Sequence, residues 1–404
     1  MADSKYIADT LFRLSRSGLP APRTDVLRGV SDILQETLRV AHQLEARELY
    51  AVERSAANAA ADLRADTPDR FDRLVEAIMG TERRIYVEIS AEDAATVITG
   101  LRGYFSVLGH GIAGEDIARY GFLVDVSPDR GVRFRVLHAP SRPVEAVIED
   151  LGAAGVTWRS ITQGLSASER RAVRRAFEIR PAGLAVTLDP RRHVGLSRRE
   201  FEAMLERSTW RDDLFGWTRD ALSRASGTRE RGRILDGAWR MMRIRDMLSS
   251  EACGPLETRE SMDHHLVDAA ILIPLLAVLE ADSTDLVATP RKTRDRRAGK
   301  AGRKRRETPA PQVDIEPRLS LVTLNLEDRD LQHLYDRRIP SGADTDANAS
   351  GESGRHGEGA QKARHPVRGH LFLARNGKVV WRRPHWRGSL DRGALRRVVA
   401  PGHG

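Results

Sequence analysis

Two stretches without apolar periodicity constrain most strongly what this chain can fold into. Residues 283–316 are rich in Pro, Arg and Lys, and residues 340–363 are rich in Gly, Ser and Ala. Neither stretch has enough apolar side chains to offset the conformational entropy that ordering costs, so we predict that both are disordered. They leave a helix-covered sheet over 1–140, a mainly helical region over 141–282 and a C-terminal basic β element over 317–404, with the second stretch as an insertion in that element.

The first region combines a long amphipathic pattern with several strand patterns. Apolar residues recur at three- and four-residue steps through 24–63, which predicts one long helix. We expect this helix to pack on its own domain, and pairing with a second copy in a homodimer is the alternative. Alternating apolar residues predict strands over 84–89, 103–109, 120–126 and 132–137. The expected fold class is therefore α+β, with an antiparallel sheet covered by the long helix.

The middle region carries helical patterns. Ser166 and Glu169 have the spacing of a capping box at the start of one such helix. The run Asp263-His264-His265 suggests metal ligands at first sight. Adjacent residues on a helix point about 100° apart, so the two imidazoles cannot chelate one ion well. We predict no metal there.

The residues from 365 to 388, HPVRGHLFLARNGKVVWRRPHWRG, concentrate the chemistry of the chain. Two strand patterns flank the pair Asn376-Gly377, which readily forms the two-residue type I′ turn of a β-hairpin. Counting outward from a two-residue loop places Phe372 opposite Trp381. Period-2 alternation then gathers aromatic rings, imidazoles and guanidiniums on one surface.

Such a surface would grip a phosphate, a carboxylate or a stacked base. The alternative is that the aromatic rings fill a core while the arginines are solvated. We predict that ligand contacts come from eight residues, and we assign none of them a catalytic role. These residues are Arg368, His370, Trp381, Arg382, Arg383, His385, Trp386 and Arg387.

The positive charge of the chain is concentrated in two segments. Residues 291–306 hold ten Lys or Arg against one Asp, and residues 364–397 also hold ten against one Asp. The total charge is +9, so the rest of the chain carries −9. Basic segments attract polyanions with an affinity that falls as salt rises. The expected partner is nucleic acid, RNA before DNA; an acidic protein surface is second, and a merely solvated linker is the remaining alternative.

Several function classes lack their sequence signals. The one cysteine, Cys253, excludes an intrachain disulfide and a cysteine-based zinc cluster. Glu88 and Asp125 fall in predicted strands, where carboxylates are more often solvent-facing than paired for catalysis. The chain has no P-loop, dinucleotide-binding glycine pattern, HExxH or GxSxG, so no cofactor is expected. The first residues lack the apolar core of a signal peptide, and a cytoplasmic protein without membrane contact is expected.

The order of motifs in the C-terminal third resembles that of a known group of proteins. The apolar helix ending LIPLLAVLEADSTDLVAT, a basic linker, the strand LSLVTLNL, and then VRGH and WRRPHWRG follow one another here. This order is similar to that of phage and prophage proteins of mostly unknown function, which are themselves similar to type V anti-CRISPR proteins. The strands RIYVEIS and YGFLVDV resemble earlier strands of the same group. The resembling C-terminal residues are Val367, Arg368, Gly369, His370, Trp381, Pro384, His385, Arg387 and Gly388.

The resemblance implies a non-enzymatic phage-type accessory protein that binds RNA, a ribonucleoprotein or a host defence protein through its basic C-terminal element. It brings no catalytic residues. The insertion at 340–363 departs from the group, in which VRGH follows the preceding strand more closely. The alternative function is a metal-dependent nuclease that uses the region of His370 and His385, although the flanking arginines would repel a cation.

Overall fold

The fold is known from a computed structural model of the chain. It describes residues 6–17, 28–63, 68–98, 117–151, 157–192, 197–207, 213–225, 227–250, 259–291, 318–337, 363–387 and 389–394.

The strands are numbered in chain order. They span Glu48–Val52 (β1), Arg83–Ser90 (β2), Ile117–Ser127 (β3), Gly131–Pro140 (β4), Arg180–Leu188 (β5), Leu248–Ser250 (β6), Leu286–Pro290 (β7), Leu319–Leu324 (β8), Ala363–Val367 (β9), His370–Leu373 (β10), Val379–Arg382 (β11), His385–Arg387 (β12) and Ser389–Ala394 (β13).

The α-helices are numbered in the same way. They span Ile7–Ser17 (α1), Arg28–Leu44 (α2), Arg54–Ala61 (α3), Pro68–Ile78 (α4), Ala91–Val97 (α5), Val144–Leu151 (α6), Trp158–Thr162 (α7), Ala167–Phe177 (α8), Arg198–Arg207 (α9), Asp213–Arg224 (α10), Thr228–Met247 (α11), Arg259–Glu280 (α12) and Arg329–Asp336 (α13).

An eight-stranded sheet with the order β6-β5-β4-β3-β2-β1-β8-β7 forms the centre of the molecule. β1 runs parallel to both of its neighbours, β2 and β8, whereas the other strand pairs of this sheet are antiparallel. The α+β class is confirmed, but the sheet is mixed rather than antiparallel. The reason lies between β1 and β2, where α3 and α4 provide the crossover that a parallel pair requires.

The single long helix predicted over 24–63 is only partly confirmed. The described part of this stretch forms α2, then β1, then α3. β1 lies between β2 and β8, so both edges of its backbone are hydrogen-bonded within the sheet. This pairing outweighs the helical periodicity of the surrounding residues, as tertiary context commonly does for short segments.

Three of the strands predicted in the first region are confirmed. β2, β3 and β4 contain the predicted segments 84–89, 120–126 and 132–137. β3 and β4 form an antiparallel hairpin, in which Ser127 pairs with Gly131. The strand predicted over 103–109 lies outside the described residues.

Helices cover both faces of the sheet. On one face, Ile85, Val87 and Ile89 of β2 join an apolar core with α3, α4, α5, α11 and α12. On the other face, Tyr86 joins a second core with α1, α2 and α8. Alternate residues of β2 therefore serve two different cores, which leaves little solvent-facing surface on this strand. In the described part of the chain, no helix is both long and apolar enough to span a membrane.

The central sheet draws strands from every large segment of the chain. β5 and β6 come from the predicted helical region, and β7 comes from the predicted linker over 283–316. β7, LVATP, is mostly exposed and is held by backbone pairing with β8, and its sequence shows no alternation of apolar and polar residues. The rest of that linker, from residue 292, and residues 340–362 of the insertion lie outside the described residues.

Candidate anion-binding site

The C-terminal strands form one long antiparallel ribbon, here called the ribbon (residues 363–387). In its outer half, His370 pairs with Arg382 in β10 and β11. In its inner half, Val367 pairs with His385 in β9 and β12. Both halves keep the same register. The two strands of the ribbon therefore stay aligned across a short interruption between the outer and the inner half.

The turn of the ribbon has three residues instead of the predicted two. The Gly377 amide donates to the Ala374 carbonyl over 3.0 Å, and the Ala374 amide donates to the Lys378 carbonyl over 2.8 Å. Gly377 has a φ of 79°, in the left-handed region, as the third residue of such a loop requires. The additional loop residue shifts the register by one position relative to the prediction.

The predicted pairing of Phe372 with Trp381 is therefore wrong. Leu371 lies opposite Trp381, and Phe372 lies opposite Val380. The Trp381 ring is buried and packs edge-on against the ring of Tyr335 in α13, with 5.8 Å between the centroids. Phe372 stays on the other face of the ribbon beside His370. The ring of Trp381 thus belongs to the core and is not available for stacking on a ligand.

Gly369 and Pro384 mark the interruption between the two halves of the ribbon. Pro384 has no amide hydrogen for the strand ladder. A Cβ atom on Gly369 would lie 2.6 Å from Cζ2 of Trp381 and would also run into the carbonyl oxygen of Arg382. The Gly369 amide donates to the Tyr335 hydroxyl over 2.7 Å. Only glycine allows this close approach. Gly369 is therefore the residue that lets the ribbon pack against α13 at the interruption.

Burial keeps the Tyr335 hydroxyl neutral at this contact. It raises the pKa of Tyr335 to about 12, and the negative charge of Asp62 adds to the effect. The hydroxyl therefore keeps its proton at physiological pH while its oxygen accepts from Gly369. Asn58 in α3 donates to the backbone carbonyl of Tyr335 and so ties α13 to the central sheet region.

The two arginines that flank the interruption turn towards the body of the protein. Nε of Arg368 lies 3.3 Å from Oδ2 of Asp62, and its guanidinium carbon lies 5.1 Å from the centre of the Tyr335 ring. Nη2 of Arg383 lies 2.7 Å from Oδ1 of Asp285. These contacts position both guanidiniums, so Arg368 and Arg383 do not extend freely into solvent.

Two further contacts hold the ends of the ribbon. Nζ of Lys378 lies 3.4 Å from Oδ2 of Asp282, near the turn. Nε1 of Trp386 donates to Oδ2 of Asp328 over 2.9 Å, at the other end. The predicted residues Trp381 and Trp386 are thus engaged with the body of the protein.

The interruption creates a pocket of about 190 Å³ that Val367 helps to line. Six of the eight predicted site residues line this basic pocket: Arg368, His370, Arg382, Arg383, His385 and Arg387. Arg382, His385 and Arg387 are exposed. The structure brings these six residues together, although a two-residue turn would have arranged them differently. Their role in ligand binding stays a prediction.

Positive charge dominates the basic pocket. No carboxylate is among its lining residues. Within the described residues, Arg382 and Arg387 form no ion pair, and Asp62 and Asp285 are the acidic partners of Arg368 and Arg383. Nε and Nη2 of Arg368 are enclosed by the protein, while 36% of the side chain is exposed. The unpaired guanidiniums of Arg382 and Arg387 supply donors that suit an anion.

The residues that position this pocket were not predicted from the sequence. Tyr335, Asp62, Asp285 and Asp328 come from segments far from the ribbon along the chain. No local pattern distinguishes these aspartates from ordinary surface carboxylates. Only the approach of distant segments in the fold assigns them to the ribbon.

A second polar cluster surrounds Glu88, which is fully buried in β2. Its carboxylate accepts from the Tyr86 hydroxyl over 2.7 Å and from the Ala8 amide over 3.1 Å, and Nη2 of Arg119 lies 3.4 Å away. Burial raises the pKa of Glu88. Ala8 lies in the first turn of α1, so this carboxylate satisfies an amide that the helix itself leaves free.

Glu88 and Asp125 do not form a carboxylate pair. Asp125 lies opposite Arg84, four residues before Glu88 in β2, and binds Nη1 of Arg47 over 2.9 Å. Glu88 is buried rather than solvent-facing, contrary to the typical behaviour of a strand carboxylate. Its surroundings indicate an anchor for α1.

A third cluster contains one residue of the Asp263-His264-His265 run. Nδ1 of His265 and Nε2 of His138 lie 3.8 and 3.9 Å from the two carboxylate oxygens of buried Asp268. Among the residues that the structure describes, no group of three His, Cys, Asp or Glu side chains has an arrangement that would hold a metal ion.

The chain is thus an α+β protein with a basic pocket in its C-terminal ribbon. No family model matches it, and searches of the curated proteins and of the solved structures also found no match.

Proposed function

We propose that this protein binds single-stranded nucleic acid, RNA in preference to DNA, and that the basic pocket is the centre of its binding surface. The observation that carries the proposal is the convergence of four arginines and two histidines in one pocket with no acidic lining residue. Phosphates are the acceptors that guanidinium forks match best. A pocket of about 190 Å³ has room for a phosphate group, which a flexible single strand presents more readily than a rigid duplex does.

The resemblance of the VRGH and WRRPHWRG motifs to phage and prophage proteins similar to type V anti-CRISPR proteins supports an accessory role, in which binding is the function. It also supports RNA or a ribonucleoprotein as the target. Cleavage is the less favoured function, because the guanidiniums beside His370 and His385 would repel the metal ion that a metal-dependent nuclease requires.

The test compares the full-length protein with an Arg382→Ala/Arg387→Ala variant. Binding of a fluorescent 12-nucleotide RNA is measured by polarisation over a series of salt concentrations. Loss of two phosphate contacts should weaken binding at every salt concentration and lower the slope of log affinity against log salt by about 1.4, since each contact to a single strand contributes about 0.7.

Arg375→Ala is the matched control, because Arg375 is an exposed arginine of the same ribbon that does not line the pocket. It removes one positive charge and should change affinity only slightly. Equal binding by the double variant and the wild-type protein would contradict the proposal. Metal-dependent degradation of the RNA by the wild-type protein would instead favour the nuclease.

A further inference from the structure

We infer that the basic pocket recognises the terminal phosphomonoester of a nucleic-acid strand, rather than the diester backbone alone. The inference rests on the proposed function and specifies its ligand. It comes from the shape of the pocket, from its unpaired positive charge and from a guanidinium that protein contacts hold in place.

The shape of the site favours an end over a continuous strand. The pocket lies at the interruption of the ribbon, between the strand ends at Val367 and Arg382 and the strand starts at His370 and His385. A backbone that passes through a site needs an open channel on both sides. A concave pocket of about 190 Å³ at a strand interruption suits a compact group with one attachment.

The positive charge of the site exceeds what one diester can neutralise. Asp62 and Asp285 pair with Arg368 and Arg383, whereas Arg382 and Arg387 have no ion pair within the described residues. A diester offers two free oxygens and one negative charge. A phosphomonoester offers three oxygens and a charge of about −1.5 to −2 at pH 7, so it neutralises more of this positive charge.

The guanidinium of Arg368 is the most firmly positioned cation of the site. Tyr335 and Asp62 hold this guanidinium in place. Its position is therefore set before any ligand arrives, and a terminal phosphate oxygen gains a fixed partner without further ordering of the side chain. Arg382 and Arg387 are exposed and reach the ligand from the strands on either side of Arg383 and Pro384.

The experiment uses three single-stranded RNAs of one sequence, which carry a 5′-phosphate, a 3′-phosphate or hydroxyls at both ends. Affinities for the full-length protein are measured at fixed salt and pH 7.5. At least one phosphorylated strand should bind about tenfold more tightly than the hydroxyl strand, the effect of one additional charge-assisted contact. The two phosphorylated strands distinguish the two possible ends, and millimolar inorganic phosphate should compete with the preferred one.

Arg382→Gln should abolish the difference between the strands, whereas Arg375→Gln should preserve it. Both arginines are exposed, so thermal melts should be unchanged for either variant. Equal affinities for all three strands, with binding still dependent on Arg382, would overturn the terminal phosphate and leave the proposed function standing. Binding to none of them would overturn both. A phosphate preference that survives Arg382→Gln/Arg387→Gln would place the recognition outside this pocket and overturn the inference.

Discussion

Single glycines decide whether the polar clusters of this protein can form. Gly121 lies directly opposite Glu88 in the sheet, and a Cβ at this position would lie 2.5 Å from the Tyr86 hydroxyl oxygen. The space above Gly121 is thus occupied by the hydroxyl that donates to Glu88. A buried carboxylate in the middle of a sheet is tolerable here because a glycine leaves room for its donor.

Substitution of Gly121 by Ala should therefore destabilise the protein by about 1–3 kcal/mol, the usual cost of forcing additional volume into a packed core. Urea unfolding measures the change. Tyr86→Phe removes the clashing oxygen but leaves Cζ at 3.1 Å from the new Cβ, so it should relieve part of the cost. The Gly121→Ala penalty should be smaller in the Tyr86→Phe background than in the wild type. Additive penalties would show that the two residues do not compete for this space.

Asp268 should make stability depend on pH. Burial acts to raise the pKa of Asp268, but the nearby imidazoles of His138 and His265 outweigh it and lower the pKa. A lowered folded-state pKa contributes stability above the unfolded-state pKa of about 3.9, and that stability is lost as pH falls through the folded-state value.

Asp268→Asn should accordingly reduce the free energy of unfolding at pH 6, and the deficit should shrink below about pH 4, where wild-type Asp268 also becomes protonated. Urea titrations at several pH values provide the measurement. Exposed Glu82 offers the matched control, and Glu82→Gln should follow the wild type throughout. A deficit that grows as pH falls would contradict the assigned pKa direction.

In the ribbon, the sequence predicts the strands and the turn but not the register in which the strands pair. Strand alternation and Asn376-Gly377 predicted both strands and the turn between them. They did not determine the register, because Asn-Gly is compatible with a two-residue loop and with the last two positions of a three-residue loop. The register follows from docking, which buries Trp381 against Tyr335 and anchors Arg383 to Asp285.

In the central sheet, too, the sequence predicts some strands and not others. β2, β3 and β4 alternate clearly enough to be predicted, whereas β1 lies in a helical pattern and β7, LVATP, shows no alternation of apolar and polar residues. These two strands are only five residues long, and both pair with β8. Short strands that are stabilised by a distant partner carry little information in their own sequence.

Docking of the ribbon should fail when Gly369 acquires a side chain. Gly369→Ala introduces a Cβ against Trp381 and the Arg382 carbonyl, so the outer half of the ribbon should separate from α13 and lose about 1–3 kcal/mol of stability. Hydrogen exchange of the amides in β10 and β11 should accelerate markedly.

Gly377→Ala is the control for this prediction. Gly377 has a positive φ but open space around its Cβ position, so the substitution should cost about 1 kcal/mol through backbone strain. Protection of the docked strands against hydrogen exchange should persist. Equal loss of protection in both variants would mean that the close approach at Gly369 does not hold the ribbon in place.

Within the complete fold, β8 connects strands that come from distant parts of the chain. It lies between β1 and β7, and the Arg291 amide after β7 donates to the Leu319 carbonyl over 2.8 Å. Nη1 and Nη2 of Arg291 also bind the carboxylate of Asp9 in α1 over 2.8 and 2.7 Å. The central sheet therefore depends on segments from both the beginning and the end of the chain.

A fragment that ends at residue 291 should consequently not reach the stability of the full chain. Without β8, β1 has an open edge and β7 has no partner, so thermal unfolding should begin at a lower temperature and soluble aggregates should appear. Circular dichroism and analytical ultracentrifugation provide the two measurements. A chain that ends at residue 395 retains every strand of the sheet and should behave as the full protein does. A compact and fully stable fragment would show that β8 is dispensable.

The place of β8 also has a consequence for biosynthesis. Leu49 pairs with Leu319, 270 residues later in the chain. At translation rates of about 5–20 residues per second, roughly 15–55 s separate the synthesis of the two residues. During that interval the growing polypeptide presents an unpaired β1 edge, which a ribosome-associated chaperone could shield until the last fifth of the chain emerges.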